Sequence, residues 1–284
     1  MQLHALIKAG LLAAGLMLAA SPILAASPSL ADDKMAMMHK DVPAPKTYIK
    51  DLSGTFGSEK VSYRATAGET YLKNKDGQET AAIFSVSYVR TDIKDNSGRP
   101  IMFIFNGGPG SSSVWLHLGL YGPTRLVLPS DAKDDGAAPY KLAANPLSML
   151  DMADMVFIDP VGTGYSRPVG AGEGKDFWGV REDAQSIAEF IRLWLNNNGR
   201  WNSPKYLSGE SYGTTRSAAL LRELSGGWTD IAVNGVILIS SILDFQTAIE
   251  DTANDGPHIS YLPSMAAAAW YHGKVEKNGR TLAA

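Results

Sequence analysis

The sequence predicts an α/β protein with a mostly parallel central sheet and antiparallel strands on its N-terminal side. Four short apolar runs end abruptly at glycines or other small residues, as buried parallel strands do. Helical patterns separate the last three runs, and two alternating segments precede the first. The four runs lie in RPIMFIFNGGPG, MADMVFIDPVGTG, KYLSGESYG and VNGVILISS. Strand and helix alternating along a chain are typical of the α/β class.

Residues 1–31 have the pattern of a secretory signal peptide. Lys8 precedes an apolar run, Pro22 interrupts that run, and small residues follow it. We expect cleavage after Ala26 or Ala31. An uncleaved membrane anchor is the alternative, but it needs about twenty apolar residues without a break. The mature protein is therefore expected to be periplasmic or secreted, with no membrane attachment once the signal is removed.

The next segments divide the mature chain. Residues 32–46 are polar and contain prolines, so we predict a mobile lead-in. A core is predicted over residues 47–244, and its first part, KVSYRATAGETYLKN and ETAAIFSVSYVRTDI, alternates as an antiparallel meander does.

Two amphipathic helices are predicted between the last three strands. In the first, apolar residues recur at helical spacing and form one face, and Leu220, Leu221 and Leu224 do the same in the second, before a stop signal at Gly226. The apolar face of the first helix comprises Ile187, Phe190, Ile191, Trp194 and Leu195.

Composition excludes several classes of function. The chain has 284 residues, with 26 basic and 29 acidic side chains and a formal net charge of -3, which argues against a nucleic-acid partner. It has no cysteine, so disulfides, thiolate metal sites and a cysteine nucleophile are excluded. No H-E-x-x-H motif occurs, and we expect neither a metal nor a cofactor.

The sequence Gly209-Glu210-Ser211-Tyr212-Gly213 follows a predicted strand and opens a predicted helix. This is the context of a nucleophile elbow, in which flanking glycines leave room for a sharp turn that exposes Ser211. The helix N-terminus would also favour negative charge developing beside the serine. A helix start with a capping serine is the alternative interpretation.

Two further glycine-rich turns follow strands. In Asn106-Gly107-Gly108-Pro109-Gly110, Gly108 suits a backbone donor to an oxyanion, although an ordinary tight turn fits equally well. A phosphate-binding loop fits poorly because no Gly-Lys-Ser/Thr follows. The third turn, 159–166, predicts only a closely packed loop.

Taken in order, FNGGPGSSS, NPLSMLDMADMVFIDPVGTGYSRP and YLSGESYGTTRSAAL closely resemble the serine carboxypeptidase family, the carboxypeptidase Y and cathepsin A type. The resemblance implies an α/β-hydrolase fold, with residues 245–284 as the start of a helical cap insertion. It also implies that Ser211 is the nucleophile and that the N–H groups of Gly108 and Tyr212 form the oxyanion hole. Asn106 and Glu210 would bind the carboxylate of a peptide substrate with a free C-terminus. Members of the family release C-terminal residues one at a time, usually best at acidic pH.

One departure from the family affects the expected substrate. The acidic residue that pairs with the elbow glutamate in the family corresponds here to Leu120. Without that acid, recognition of a C-terminal carboxylate and an acidic optimum are both in question. An esterase or an acyltransferase with the same acyl-enzyme chemistry is therefore the alternative.

The catalytic acid and base have no suitable candidates after Ser211. This fold places them in the order Ser, Asp, His on later strands, whereas only 73 residues follow Ser211. His258, His272, Asp244 and Asp255 come too early, and His39 and His117 are assigned no role. We expect an N-terminal fragment that lacks the last strands, with the Asp and His beyond Ala284. A non-catalytic truncated remnant is the other interpretation.

Overall fold

The computed structural model describes residues 42–129, 137–226, 230–242, 244–249, 251–279 and 281. The predicted signal peptide and residues 32–41 of the predicted lead-in lie outside this part of the chain. The described residues form an eight-stranded mixed sheet with helices packed on it, which confirms the α/β class.

The sheet runs in the order β1-β2-β3-β7-β4-β9-β10, and the short β8 pairs with β3. Its strands are β1 (Thr47–Phe56), β2 (Glu59–Lys73), β3 (Glu79–Arg90), β4 (Ile101–Phe105), β7 (Asp154–Ile158), β8 (Arg167–Pro168), β9 (Lys205–Glu210) and β10 (Gly235–Ile239). A separate antiparallel pair is formed by β5 (Thr124–Leu126) and β6 (Leu142–Ala144).

The first three strands are antiparallel. The alternating sequence segments predicted this arrangement for β2 and β3. The strand β1 was not predicted. Seven of its ten residues are exposed at the sheet edge and show no regular alternation, so their pairing with β2 depends on the neighbour rather than on their own pattern.

The strands β7, β4, β9 and β10 are parallel neighbours. All five residues of β4 are buried, because the strand is covered on both faces. Ile101, Phe103 and Phe105 pack into the core on one side of the sheet. Met102 and Ile104 pack into a second core on the other side. This two-sided burial explains why the strand is continuously apolar.

Four helices lie among the described residues: α1 (Val114–Leu116), α2 (Val180–Asn197), α3 (Tyr212–Leu224) and α4 (Gly256–Tyr271). The residues predicted as the apolar face of α2 are all buried in the larger core. A π-helical turn, His117–Tyr121, continues α1, and single 3-10 turns lie at Met149–Asp151, Gly174–Asp176 and Phe245–Thr247. Of the helices described, none has both the length and the apolar character required to cross a membrane.

A buried ion cluster lies where the parallel strands begin. The Asp154 side chain is fully buried and accepts hydrogen bonds from Arg99 Nε at 2.8 Å and Arg200 Nη1 at 2.5 Å. The N–H of Arg90 donates to the same carboxylate. We name Asp154, Arg99 and Arg200 the strand-start cluster. It joins the chain segments that enter β4, β7 and β9.

Candidate active site

Ser211 lies at the sharp turn between β9 and α3, as predicted for a nucleophile elbow. Its backbone has φ 57 and ψ -124, a conformation that non-glycine residues rarely adopt. The turn is held on both sides, since Ser211 N donates to Ile239 O of β10 and Thr214 N donates to Ser211 O, each at 2.9 Å. Its side chain makes no capping hydrogen bond, which disfavours the capping-serine interpretation.

The predicted oxyanion loop packs directly against this elbow. A Cβ placed on Gly107 would lie 2.5 Å from Tyr212 N and 2.6 Å from Glu210 O, so only glycine allows so close an approach. The neighbouring Gly108 has φ +105, again a glycine conformation, and is exposed. The structure therefore brings Gly108 and Tyr212, the two predicted donors, to one place beside Ser211.

Asn106 and Glu210 form a side-chain pair at the ends of adjacent strands. The β4–β9 register places Phe105 opposite Gly209, so the next residue of each strand emerges at the same edge. Asn106 Nδ2 donates to Glu210 Oε2 at 3.0 Å, while Asn106 Oδ1 accepts from Leu116 N at 3.0 Å. Asn106 is 1% exposed, and its amide orientation is set by these two contacts.

The third glycine-rich turn packs against the chain segment that directly follows the oxyanion loop. Asp159, at the end of β7, accepts a hydrogen bond from Ser113 N at 2.8 Å. Burial raises the pKa of Asp159, and the backbone N–H groups of Ser113 and Tyr165 oppose that shift. The prediction of a closely packed loop at 159–166 is confirmed. This loop packs against the segment that directly follows the oxyanion loop.

An open cavity of about 490 Å³ connects these groups. It is bordered by the oxyanion loop, the elbow and α1, and its lining comprises Asn106, Gly108, Ser111, Trp115, Leu116, Glu210 and Ser211. The exposed Trp115 forms an apolar wall beside polar groups. No group of histidine and acidic side chains suited to a metal occurs among the described residues.

The described histidines do not supply a base to Ser211. His117 Nε2 is 2.7 Å from Tyr88 Oη, and its ring stacks on Phe157 at 4.4 Å between centroids. Burial lowers the pKa of His117 to about 4. His258 lies exposed on α4 and His272 caps the end of that helix.

The two acidic candidates lie at the starts of later helical turns. Asp244 caps a 3-10 turn through Gln246 N, and Asp255 stands at the start of α4. Leu120, the position that the resemblance matches to an acid of the family, is 49% exposed on the π-helical turn.

Sequence reasoning missed a buried ion pair behind the elbow. Arg216 Nε donates to Asp183 Oδ2 at 2.7 Å, and both side chains are buried. Burial raises the pKa of Asp183, opposed by the charge of Arg216. A detectable signal existed, because each residue is a charge on the apolar face of its helix: Asp183 precedes Ile187 by one turn, and Arg216 precedes Leu220 by one turn.

A serine carboxypeptidase family model matches residues 58–280 of the sequence. The chain belongs to the serine carboxypeptidase family. The match includes all three glycine-rich turns, and the mixed sheet with its helices has the α/β-hydrolase architecture of the family.

The family members with similar sequences are considerably longer than this chain. Serine carboxypeptidase-like 13 of Arabidopsis thaliana is 29% identical over 175 residues, covering 60% of this chain and 39% of that protein. The pheromone-processing carboxypeptidase KEX1 of Saccharomyces cerevisiae is 32% identical over 157 residues, covering 51% of this chain and 20% of that protein. The chain thus spans about two fifths or less of these relatives.

A solved structure of the same yeast enzyme type is also similar. The crystal structure of a prohormone-processing carboxypeptidase from Saccharomyces cerevisiae aligns with a TM-score of 0.49 and 20% identity, covering 76% of this chain and 49% of that one.

Proposed function

We propose that this chain is the N-terminal part of an exported serine carboxypeptidase that releases C-terminal residues from peptides. The observation that carries the proposal is the strained Ser211 at the elbow, with the oxyanion loop packed onto the Tyr212 backbone. Strain at a half-buried serine between a strand and a helix is expected of a nucleophile rather than of a structural residue.

The reaction proceeds through an acyl-enzyme. Ser211 Oγ attacks the peptide carbonyl as its proton passes to a base, and the resulting oxyanion accepts hydrogen bonds from the Gly108 and Tyr212 N–H groups. Collapse of this intermediate breaks the C–N bond, and the base returns its proton to the nitrogen of the departing C-terminal amino acid. Water then attacks the ester carbonyl and gives a proton to the base. The shortened peptide leaves as a carboxylic acid when Ser211 Oγ takes that proton back. We expect the base and its aspartate beyond Ala284, in the order that this fold uses.

Binding of a free C-terminus is assigned to Asn106 and Glu210. Both lie on the cavity beside Ser211, and Asn106 Nδ2 already donates to a carboxylate oxygen, that of Glu210. A substrate carboxylate in the same cavity would accept from the same amide, and from Glu210 only when that group carries a proton, because an ionised carboxylate has no hydrogen to donate. The peptide is thereby oriented with its last amide bond toward the serine.

A second function is favoured by one observation. Leu120 stands where the family carries the acid that pairs with the elbow glutamate, so the carboxylate site has one acidic group fewer. An esterase or acyltransferase would use Ser211 in the same way and would not need a free carboxylate.

Labelling the natural mature protein with a fluorophosphonate probe tests the proposal. We expect a labelled species heavier than residues 27–284 alone, with an N-terminus at Ser27 or Asp32, that cleaves peptides with a free C-terminus. Substituting Ser211 with Ala should abolish labelling and turnover, whereas Ser225→Ala, at the exposed end of α3, should change neither. Turnover of esters alone would favour the second function, and an unlabelled protein ending at Ala284 would indicate a non-catalytic remnant.

A further inference from the structure

Arg216 is a completely buried arginine one turn into the helix that Ser211 begins. The residue is 1% exposed, among the largest fully buried side chains of the described chain. Burying a guanidinium is costly unless its N–H groups and charge are matched by partners. The identity of those partners therefore indicates what the arginine holds in place.

One partner is the strand that leads into the oxyanion loop. Arg216 Nη1 donates to the carbonyl oxygen of Asn106 at 2.6 Å. Asn106 immediately precedes Gly107 and Gly108, so this bond anchors the peptide unit from which the loop departs. A charged donor makes a stronger hydrogen bond than a neutral one, which suits it to hold a backbone position.

The second partner is the residue after the nucleophile. The guanidinium carbon of Arg216 lies 5.2 Å from the ring centroid of Tyr212 and 5.4 Å from that of Phe105. Cation–π contacts of this length are attractive, more so where water is excluded. Tyr212 carries the other proposed oxyanion N–H. The same side chain thus contacts the chain segments of both donors.

The third partner supplies the balancing charge. Asp183, in the first turn of α2, accepts from Arg216 Nε at 2.7 Å and orients the planar guanidinium. With its plane fixed, the guanidinium can reach the Asn106 carbonyl and the Tyr212 ring at once. A lysine has a single nitrogen and cannot reproduce this arrangement.

We propose that Arg216 is a positioning residue of the oxyanion hole, held by Asp183, that sets the spacing between the Gly108 and Tyr212 N–H groups. The inference rests on the proposed function, because it assigns to Arg216 an effect on acyl transfer at Ser211. The rate of reaction at a preorganised oxyanion hole is sensitive to small errors in donor position. The donors must match the oxyanion of the transition state rather than the carbonyl of the substrate.

The test compares Arg216→Lys and Arg216→Met in the full-length natural protein. The kcat of each variant is normalised to the number of active sites that the probe labels, so that misfolded molecules do not contribute. We expect kcat to fall about tenfold for Lys and about a hundredfold for Met, given that losing one donor costs about 10²- to 10³-fold. KM should stay within about threefold, and the rate of probe labelling should fall in parallel with kcat.

Arg200→Lys is the matched control. Arg200 is also buried and paired with an aspartate, but it belongs to the strand-start cluster at the other end of the strands. It should lower the unfolding temperature and leave kcat per labelled site within twofold. Asp183→Asn provides a second variant near the site that retains the side-chain shape, with an expected kcat loss smaller than that of Arg216→Met.

Two results would overturn the inference. In the first, kcat per labelled site stays within twofold in the folded Arg216→Lys and Asp183→Asn variants. In the second, Arg200→Lys loses as much kcat as Arg216→Lys. Failure of the proposed function is seen separately, in a wild-type protein that is not labelled or a Ser211→Ala variant that retains turnover.

Discussion

The two ends of the parallel strands carry similar buried charges in different settings. At the strand starts, Asp154 is matched by Arg99 and Arg200, which lie in the segments leading into β4 and β9. At the strand ends, Asp183 and Arg216 lie behind a strained serine, two close glycines and an open cavity. The charges at one end join the segments that enter the strands, while those at the other end lie beside the groups proposed to bind a substrate.

The difference shows why a buried ion pair does not by itself identify a functional site. Breaking either set of ion pairs would be costly, because removing one charged side chain leaves its partner unmatched in the interior. What separates them is the neighbouring chain: Arg216 contacts Asn106 and Tyr212, which directly adjoin the oxyanion loop and the strained Ser211.

The largest expected effect is on stability and concerns the strand starts. Asp154→Asn leaves Arg99 and Arg200 without their shared carboxylate, and we expect the free energy of unfolding to fall by about 3–5 kcal/mol. Urea unfolding of the full-length protein measures this loss. A change in kcat per labelled site, with stability preserved, would contradict the assignment of this end to folding.

The next effect is on activity and concerns the oxyanion loop. Gly107→Ala places a methyl group within 2.6 Å of two backbone atoms of the elbow, which cannot move aside cheaply. We expect kcat to fall about 10²- to 10³-fold as the donors separate. Gly119→Ala is the control, since nothing lies within 4 Å of its added carbon. Equal losses in both variants would show that the effect is not specific to the loop.

A third prediction concerns pH and His117, which is buried against Tyr88 and Phe157. The pKa of His117 is about 4 in the folded protein and 6.5 ordinarily, so the unfolded chain binds the extra proton first as the pH falls. Stability is therefore fully present above pH 6.5 and declines toward pH 4, by up to about 3 kcal/mol.

His117→Gln removes this titration and can keep a polar contact with Tyr88. Its unfolding free energy, measured by urea at both pH values, should decline less than that of the wild type. An equal decline would place the acid sensitivity elsewhere.

The smallest expected effect is on substrate affinity. Asn106→Asp keeps the acceptor for Leu116 N but replaces the amide donor by a carboxylate facing Glu210. KM for peptides with a free C-terminus should rise about tenfold, as expected for losing one hydrogen bond to a charged group. Esters without a carboxylate serve as the control substrate, and an equal rise for them would remove Asn106 from carboxylate binding.

Local patterns in the sequence were sufficient for the α/β class and for the elbow. Buried parallel strands are apolar throughout, and a strand that turns sharply at a serine needs glycines around it. Both features are therefore visible as patterns of consecutive residues in the sequence. Gly108 and Ser211 could be proposed for one site because the ends of parallel strands meet at one edge of a sheet.

The contacts between distant segments depended on the tertiary structure. The edge strand β1 has little pattern of its own, and its pairing becomes evident only beside β2. Asp183 and Arg216 are separated by 33 residues, and a single charge on an apolar helix face does not identify its partner. Their pairing follows from the packing of α2 against α3, because a buried charge is tolerated only where folding brings an opposite charge within reach.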